Sequence, residues 1–263
     1  MIPRVSVGIA SCVVIALGVV TFAPPAAGDV PSFRLQWTTN DGTVNYDWTQ
    51  FGTLHGFGSH DVPGTNQEWT GWRYEGGAGG AGWEIKWDSV FNNATGGLAP
   101  GGAFVTANIV VTNNDVSIQN FSLLMTLATG TLGAVTERGS VVGTVTDLNE
   151  DDATVFAPTG SRIYTPMIDG AAEAAGFLMV DPFSQNAGGT FQSSAVGPAD
   201  FGIPVPLVAS QSVDESIGIL LDFDLTPGDT ASFTSIFEVI IPAPGVIGLL
   251  AVAAVGTRRR RRR

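Results

Sequence analysis

Cysteine occurs once in these 263 residues, at Cys12, inside an apolar stretch near the N-terminus. If that stretch is removed on export, the remainder holds no thiol. An internal disulfide and a cysteine nucleophile are then both excluded, and stability must come from packing. Lysine also occurs once, at Lys86, and histidine twice, at His55 and His60. That spacing is not the i, i+4 pair of a zinc-protease helix. No G-x-S-x-G elbow is present to carry a serine nucleophile. Between the two ends, no helical apolar period runs beyond about two turns.

Basic residues are few, and most sit at the ends. The chain has 12 lysines and arginines against 24 acidic residues. Seven of the basic ones are Arg4 and the six arginines that close the chain. Residues 29–241 therefore keep five basic side chains against all 24 acids, a net charge of −19. A surface this negative excludes nucleic-acid binding, which needs cations against phosphate. It makes divalent cations natural counter-ions.

Residues 1–28 read as a secretory signal peptide. Arg4 gives a positive start and residues 5–22 are apolar. Small residues at Ala26, Ala27 and Gly28 offer a cleavage site after Gly28 or Ala27. The next 213 residues, 29–241, are enough to bury a core as one domain.

What recurs in that body is period two, bounded by Gly, Asn, Asp and Pro. Leu35 and Trp37, then Val44, Tyr46 and Trp48, flank Asn40-Asp41-Gly42 as a hairpin. Residues 52–64 are expected to form a glycine-rich loop, with a new strand beginning at Trp72 and Tyr74. Trp83, Ile85 and Trp87 alternate with Glu84, Lys86 and Asp88, as in a half-buried strand. Two long strands, 103–112 and 116–127, flank Asn113-Asn114-Asp115. A last pair, 216–225 and 231–240, flanks Thr226-Pro227-Gly228-Asp229, which suits a tight turn. Eleven to thirteen short strands without crossover helices predict an all-β fold. The expected architecture is an antiparallel β-sandwich, jelly-roll-like.

Three internal features suggest chemistry. Gly77, Gly79 and Gly82 spell G-x-G-x-x-G, but a strand follows where a dinucleotide site needs a helix, so a hairpin loop is expected. Asp147, Asn149, Asp151 and Asp152 crowd oxygen ligands into six residues, a candidate calcium site and the only cofactor the chain suggests. The EF-hand continuation fails, with Asp152 where Gly is needed and Pro158 where the bidentate Glu should stand. All six tryptophans lie between residues 37 and 87. They form either a core layer or a platform on which sugar rings stack. Trp69, Trp72 and Tyr74 are the candidate glycan-binding residues, with Trp69 out of phase with the other two. No catalytic residue is assigned. Among 24 acids some pair will fall at glycosidase distance by chance, so a hydrolase on a jelly-roll scaffold stays an alternative.

The last 22 residues, 242–263, are of another kind. Pro242, Ala243, Pro244 and Gly245 break the chain, residues 246–256 are apolar, and Arg258, Arg259 and Arg260 open the run of six arginines. These three parts in order resemble the C-terminal sorting signal of PEP-CTERM proteins, with Ala243 replacing the central Glu. Leu225-Thr226-Pro227-Gly228-Asp229, followed by Phe233, Phe237 and Val239, resembles the closing hairpin of β-sandwich domains in such proteins. The resemblance implies an exosortase, a membrane enzyme that recognises the motif, as partner. It implies export to the cell surface or the extracellular space, commonly in bacteria making exopolysaccharide, itself a candidate ligand. Eleven apolar residues make roughly 16 Å of helix, short of the roughly 30 Å of a bilayer core. Six arginines hold their side in the cytoplasm. The segment suits transient membrane insertion, and retention as a permanent anchor remains the alternative. The expectation is a secreted or surface-held, non-catalytic structural or matrix protein, or else a glycan-binding module in its own polysaccharide.

Overall fold

A computed structural model describes the backbone of residues 33–39, 42–47, 52–61, 68–92 and 102–242, with side-chain detail over 34–39, 72–92 and 102–242. The expected signal peptide, Trp48, the side chain of Trp69 and everything past Pro242 lie outside the described residues. Within them the chain is all-β. Seventeen strands form two antiparallel sheets packed face to face, with one 3-10 turn at Ala174–Gly176. No helix among the described residues is long and apolar enough to cross a membrane.

The first sheet is built on β1 (Phe33–Thr39), β2 (Gly42–Asp47), β7 (Gln119–Ala128), β10 (Arg162–Ile168), β11 (Ala171–Ala172) and β16 (Ser216–Leu225), in the order β11-β10-β16-β7-β1-β2. Short strands β9 (Ala153–Phe156), β12 (Leu178–Val180) and β13 (Ser184–Ala187) extend it. The second runs β14-β8-β17-β6-β5-β4-β3. Its strands are β3 (Gly52–Asp61), β4 (Glu68–Gly79), β5 (Trp83–Asn92), β6 (Gly102–Asn113), β8 (Thr136–Thr146), β14 (Ser193–Phe201) and β17 (Thr230–Ile240). A two-residue strand, β15 (Leu207–Val208), also pairs with β8.

The period-two pattern explains the layering. On β7, Phe121, Leu123, Met125 and Leu127 point inward, and on β17 Ala231, Phe233, Phe237 and Val239 do the same. A sheet with one apolar face must cover it, and here each sheet covers the other. Phe223 from the first sheet meets Phe233 from the second with ring centroids 4.9 Å apart. At one side Trp37 on β1 reaches across to Trp83 and Trp87 on β5, at 5.9 and 5.8 Å.

Three expectations need correction. Residues 52–61 are strand β3, not loop. Its glycines are tolerated at a sheet edge, and the register against β4 slips between His55 and Gly58. Strand β4 begins at Glu68, ahead of Trp72, so Trp69 stands within it. The long pairs flanking 113–115 and 226–229 are not hairpins. β6 and β7 lie in opposite sheets, as do β16 and β17, and the partners are β6 with β17 and β7 with β16. Both connections therefore cross from one sheet to the other at the same end of the sandwich. Asn113 staples them together. It is fully buried, and its Nδ2 donates to the carbonyls of Ser117 and Leu225 at 2.8 and 3.0 Å.

Candidate functional site

The two ends of the sandwich differ. At the end where the sheets are crossed, the loop after β8 winds back under the start of β17. Asp147 directs it. Its Oδ1 accepts the N–H groups of Asn149 and Glu150, at 3.1 and 2.9 Å, and its Oδ2 accepts that of Phe191 at 3.0 Å. Burial works to raise the Asp147 pKa, but these backbone donors outweigh it and hold the carboxyl below its ordinary value. The sharp turn is completed by Glu150 and Asp152, both at positive φ.

The β17–β8 register sets Thr230 opposite Thr146, which brings Asp229 beside Asp147. Carboxylate oxygens of Asp147, Asp151 and Asp229 lie within 4.8 Å of one another. Asp229 is buried, accepting the Thr226 hydroxyl at 2.5 Å and the Leu148 N–H at 3.4 Å. Burial, then the facing charges of Asp151 and Asp147, push its pKa up against those two hydrogen bonds. The oxygen-only donor set is of the kind hard cations such as calcium take.

Of the four expected calcium ligands, only Asp147 and Asp151 are brought together. Asn149 turns its Nδ2 to the Pro227 carbonyl at 2.9 Å, and Asp152 accepts the Gly189 N–H at 2.8 Å. Adjacent residues on a tight turn point different ways, so four sequential ligands cannot converge. Asp229, 78 positions after Asp151, reads in the sequence only as a turn residue; the strand register places it here.

The glycan candidates are also corrected. Trp72 and Tyr74 are buried, at 6% and 0% exposure, and so turn no face outward for a sugar ring. They belong to the aromatic layer with Trp37, Trp83 and Trp87, where Tyr74 meets Trp87 at 5.8 Å. The G-x-G-x-x-G stretch closes the β4–β5 hairpin, as expected. A shallow groove of about 440 Å³ beside it is lined by Gly77, Gly79, Gly80, Trp83, Glu84 and Asn114.

At the other end lies a feature the sequence reading missed. Glu137 sits in phase with Gly139, Val141 and Val145 on the inward face of β8 and is fully buried. Neither of its carboxylate oxygens has a hydrogen-bond partner. Burial, with the nearby charge of Glu173, pushes its pKa up to about 7. Glu173 is buried too, accepting the Ser210 hydroxyl at 2.7 Å and its N–H at 3.2 Å. Two neighbouring carboxyls, one with a raised pKa, are the kind of pair acid–base hydrolysis uses, and here both side chains are buried inside the fold. A lone acid in an apolar strand phase was the signal that could have marked Glu137.

The C-terminal end of β17 has its own geometry. All eleven residues of the strand are paired with β6 on one side and β8 on the other. Ile240 ends the strand, and Pro242, the first residue of the expected sorting motif, is exposed two positions later. Ala243, Pro244, Gly245, Arg258, Arg259 and Arg260 lie outside the described residues. The chain matches no protein-family model, and no curated protein matches it.

Proposed function

We propose that this is an exported, non-catalytic structural or matrix protein, a β-sandwich carried to the cell surface by its C-terminal signal. An exosortase-type membrane enzyme is its processing partner, and the surrounding exopolysaccharide its setting. The observation that carries the reading is the junction at Pro242. The strand feeding the tail is central in its sheet and fully paired on both sides. Only Ile241 separates it from Pro242, so the motif is presented on a rigid stem. A processing enzyme at the membrane then meets a fixed exit point rather than a loose tether.

A jelly-roll-like description of the scaffold is supported by the double crossing, in which β6–β7 and β16–β17 each change sheet while β6 pairs with β17 and β7 with β16. The test is intact mass and fractionation of the native protein. Secreted chains should lack Arg258 to Arg263, and the Pro242→Ala, Pro244→Ala double variant should accumulate unprocessed in the membrane fraction. Secreted protein that keeps all six arginines sinks the processing reading.

A further inference from the structure

Residues 201–209, Phe-Gly-Ile-Pro-Val-Pro-Leu-Val-Ala, carry no charged or hydrogen-bonding side chain over nine positions. In so acidic a body, such a run belongs inside. Phe201 obeys, buried with its ring 6.3 Å from Tyr164 and 6.4 Å from Phe237. Gly202 follows it inside, but the residues from 203 to 208 turn outward. Ile203 and Leu207 are exposed, Val205 is 73% exposed and Val208 79%. Single exposed apolar residues are ordinary, but a contiguous projecting set calls for a partner. Pro204 and Pro206 restrict the backbone, so holding this shape costs little further entropy.

Its position says what the partner is. Val208 pairs with Thr136 of β8, and on the other side of β8 Thr136 pairs with Ile240, the last residue of β17. Two strand spacings separate Val208 from Ile240, about 10 Å. The exposed segment therefore stands beside the point where the chain leaves for its apolar run and six arginines. The opposite end exposes Val116, Ile118, Leu148 and Phe191 as well, but there the exposed carboxylates of Glu150, Asp151 and Asp152 share the surface with them, whereas 203–208 carries no charge of its own.

We infer that the 203–208 segment is a bilayer-contact site, seating this end of the sandwich in the headgroup region of the membrane that the tail enters. The inference rests on the sorting-tail reading above. A short tail gains hold when the domain beside it adds apolar contact at the interface. The opposite end, about 33 Å away along the eleven residues of β17, then faces outward. The tail end has acids of its own in Asp169, Asp214 and Glu215, so the contact is confined to the 203–208 segment.

Three probes test it. In a Cys12→Ser background, which removes the only cysteine, Val205→Cys, Leu250→Cys and Leu148→Cys are each labelled with an environment-sensitive fluorophore. The full chain is reconstituted into phosphatidylcholine–phosphatidylglycerol vesicles containing nitroxide-labelled lipid. Quenching is expected at 250 and 205, several-fold above that at 148. Quenching at 250 without quenching at 205 overturns the contact site and leaves the tail reading standing. No quenching at 250 overturns the tail reading and the contact site with it. Equal quenching at 205 and 148 means indiscriminate adsorption and also overturns the proposal. Position 205 is exposed, so circular dichroism of that variant should match the parent.

Discussion

The Tyr164 hydroxyl donates a 2.9 Å hydrogen bond to the Ile236 carbonyl, joining the first sheet to the second through the core. Gly139 makes room for it. A Cβ at that position would lie 2.6 Å from the hydroxyl and 2.6 Å from the Phe201 ring. Gly139→Ala should therefore destabilise the fold by about 2 kcal/mol or more, through overpacking. Tyr164→Phe, which removes this bond from a carbonyl inside the β17 ladder, should cost about 1 kcal/mol. The two effects should not add, since they share one space. Urea unfolding of the single and double variants measures this. Full additivity, or an alanine variant within about 0.5 kcal/mol of the parent, would show that the sheets are not braced here.

Glu137 predicts the pH response. Its folded pKa of about 7 stands above the ordinary value of 4.5, so the folded state keeps a proton that the unfolded chain has released. Stability must then fall as pH rises from about 4.5 to about 7, by up to about 3 kcal/mol. The groups facing Glu137 reinforce the direction. Glu173 repels its charge, and burial, then Glu137, push the Tyr164 pKa up, leaving that phenol neutral. On the acid side, Asp147 and Asp169 have lowered pKa values. Burial opposes this in both, but backbone N–H donors prevail, and for Asp169 these come from Ser216, Asp214 and Glu215. Their stabilisation is present above the ordinary value of 3.8 and lost as pH falls through their folded pKa values. The melting temperature should peak near pH ~4–5, and Glu137→Gln should flatten the decline between pH ~5 and ~7. A decline unchanged in that variant would remove Glu137 as its cause.

Much of this architecture is written in alternation. The phases of Phe121 to Leu127 and of Phe233 to Val239 announce strands with one wet face, and Asn40-Asp41-Gly42 announces the β1–β2 hairpin, whose register sets Trp37 opposite Val44. Pairing between distant strands is not written there. Asn113-Asn114-Asp115 and Thr226-Pro227-Gly228-Asp229 suit a tight hairpin and a sheet-to-sheet crossing equally well, because both reverse the chain over a few residues. The acidic cluster was half legible for the same reason. Asp147 and Asp151 are near in sequence, while Asp229 arrives through strand register. The glycines of β3 hid a strand, since glycine reads as loop when only local preference is weighed.

The tryptophan layer is expected to behave as core. Trp37 is fully buried and touches both Trp83 and Trp87 across the sheets. Trp37→Ala should cost about 3–5 kcal/mol, the usual penalty for emptying a large aromatic site. Denaturant melts followed by far-UV circular dichroism measure the loss. A cost under about 1 kcal/mol would mean that the indole is not a packed contact between the sheets.

The double crossing depends on one amide. Asn113 sends its Nδ2 to the carbonyls of Ser117 and Leu225, with that of Thr226 at 3.1 Å, while its Oδ1 accepts the Asp115 N–H at 2.9 Å. Asn113→Asp keeps the shape and the Asp115 bond but turns a donor into an acceptor facing carbonyl oxygens. An ionised, buried carboxylate there faces the carbonyl oxygens of Ser117, Leu225 and Thr226, so the variant should lose about 3 kcal/mol at neutral pH. Protonation restores a donor. The folded pKa of the new carboxyl must lie above its unfolded value, so the penalty should shrink as pH falls through it. Asn113→Ala should lose less at neutral pH and show no such recovery. Parallel urea melts of both variants at pH 7 and pH 4 separate the cases. A pH-independent gap between Asn113→Asp and the parent would mean that the side chain is not the staple that holds the two crossings together.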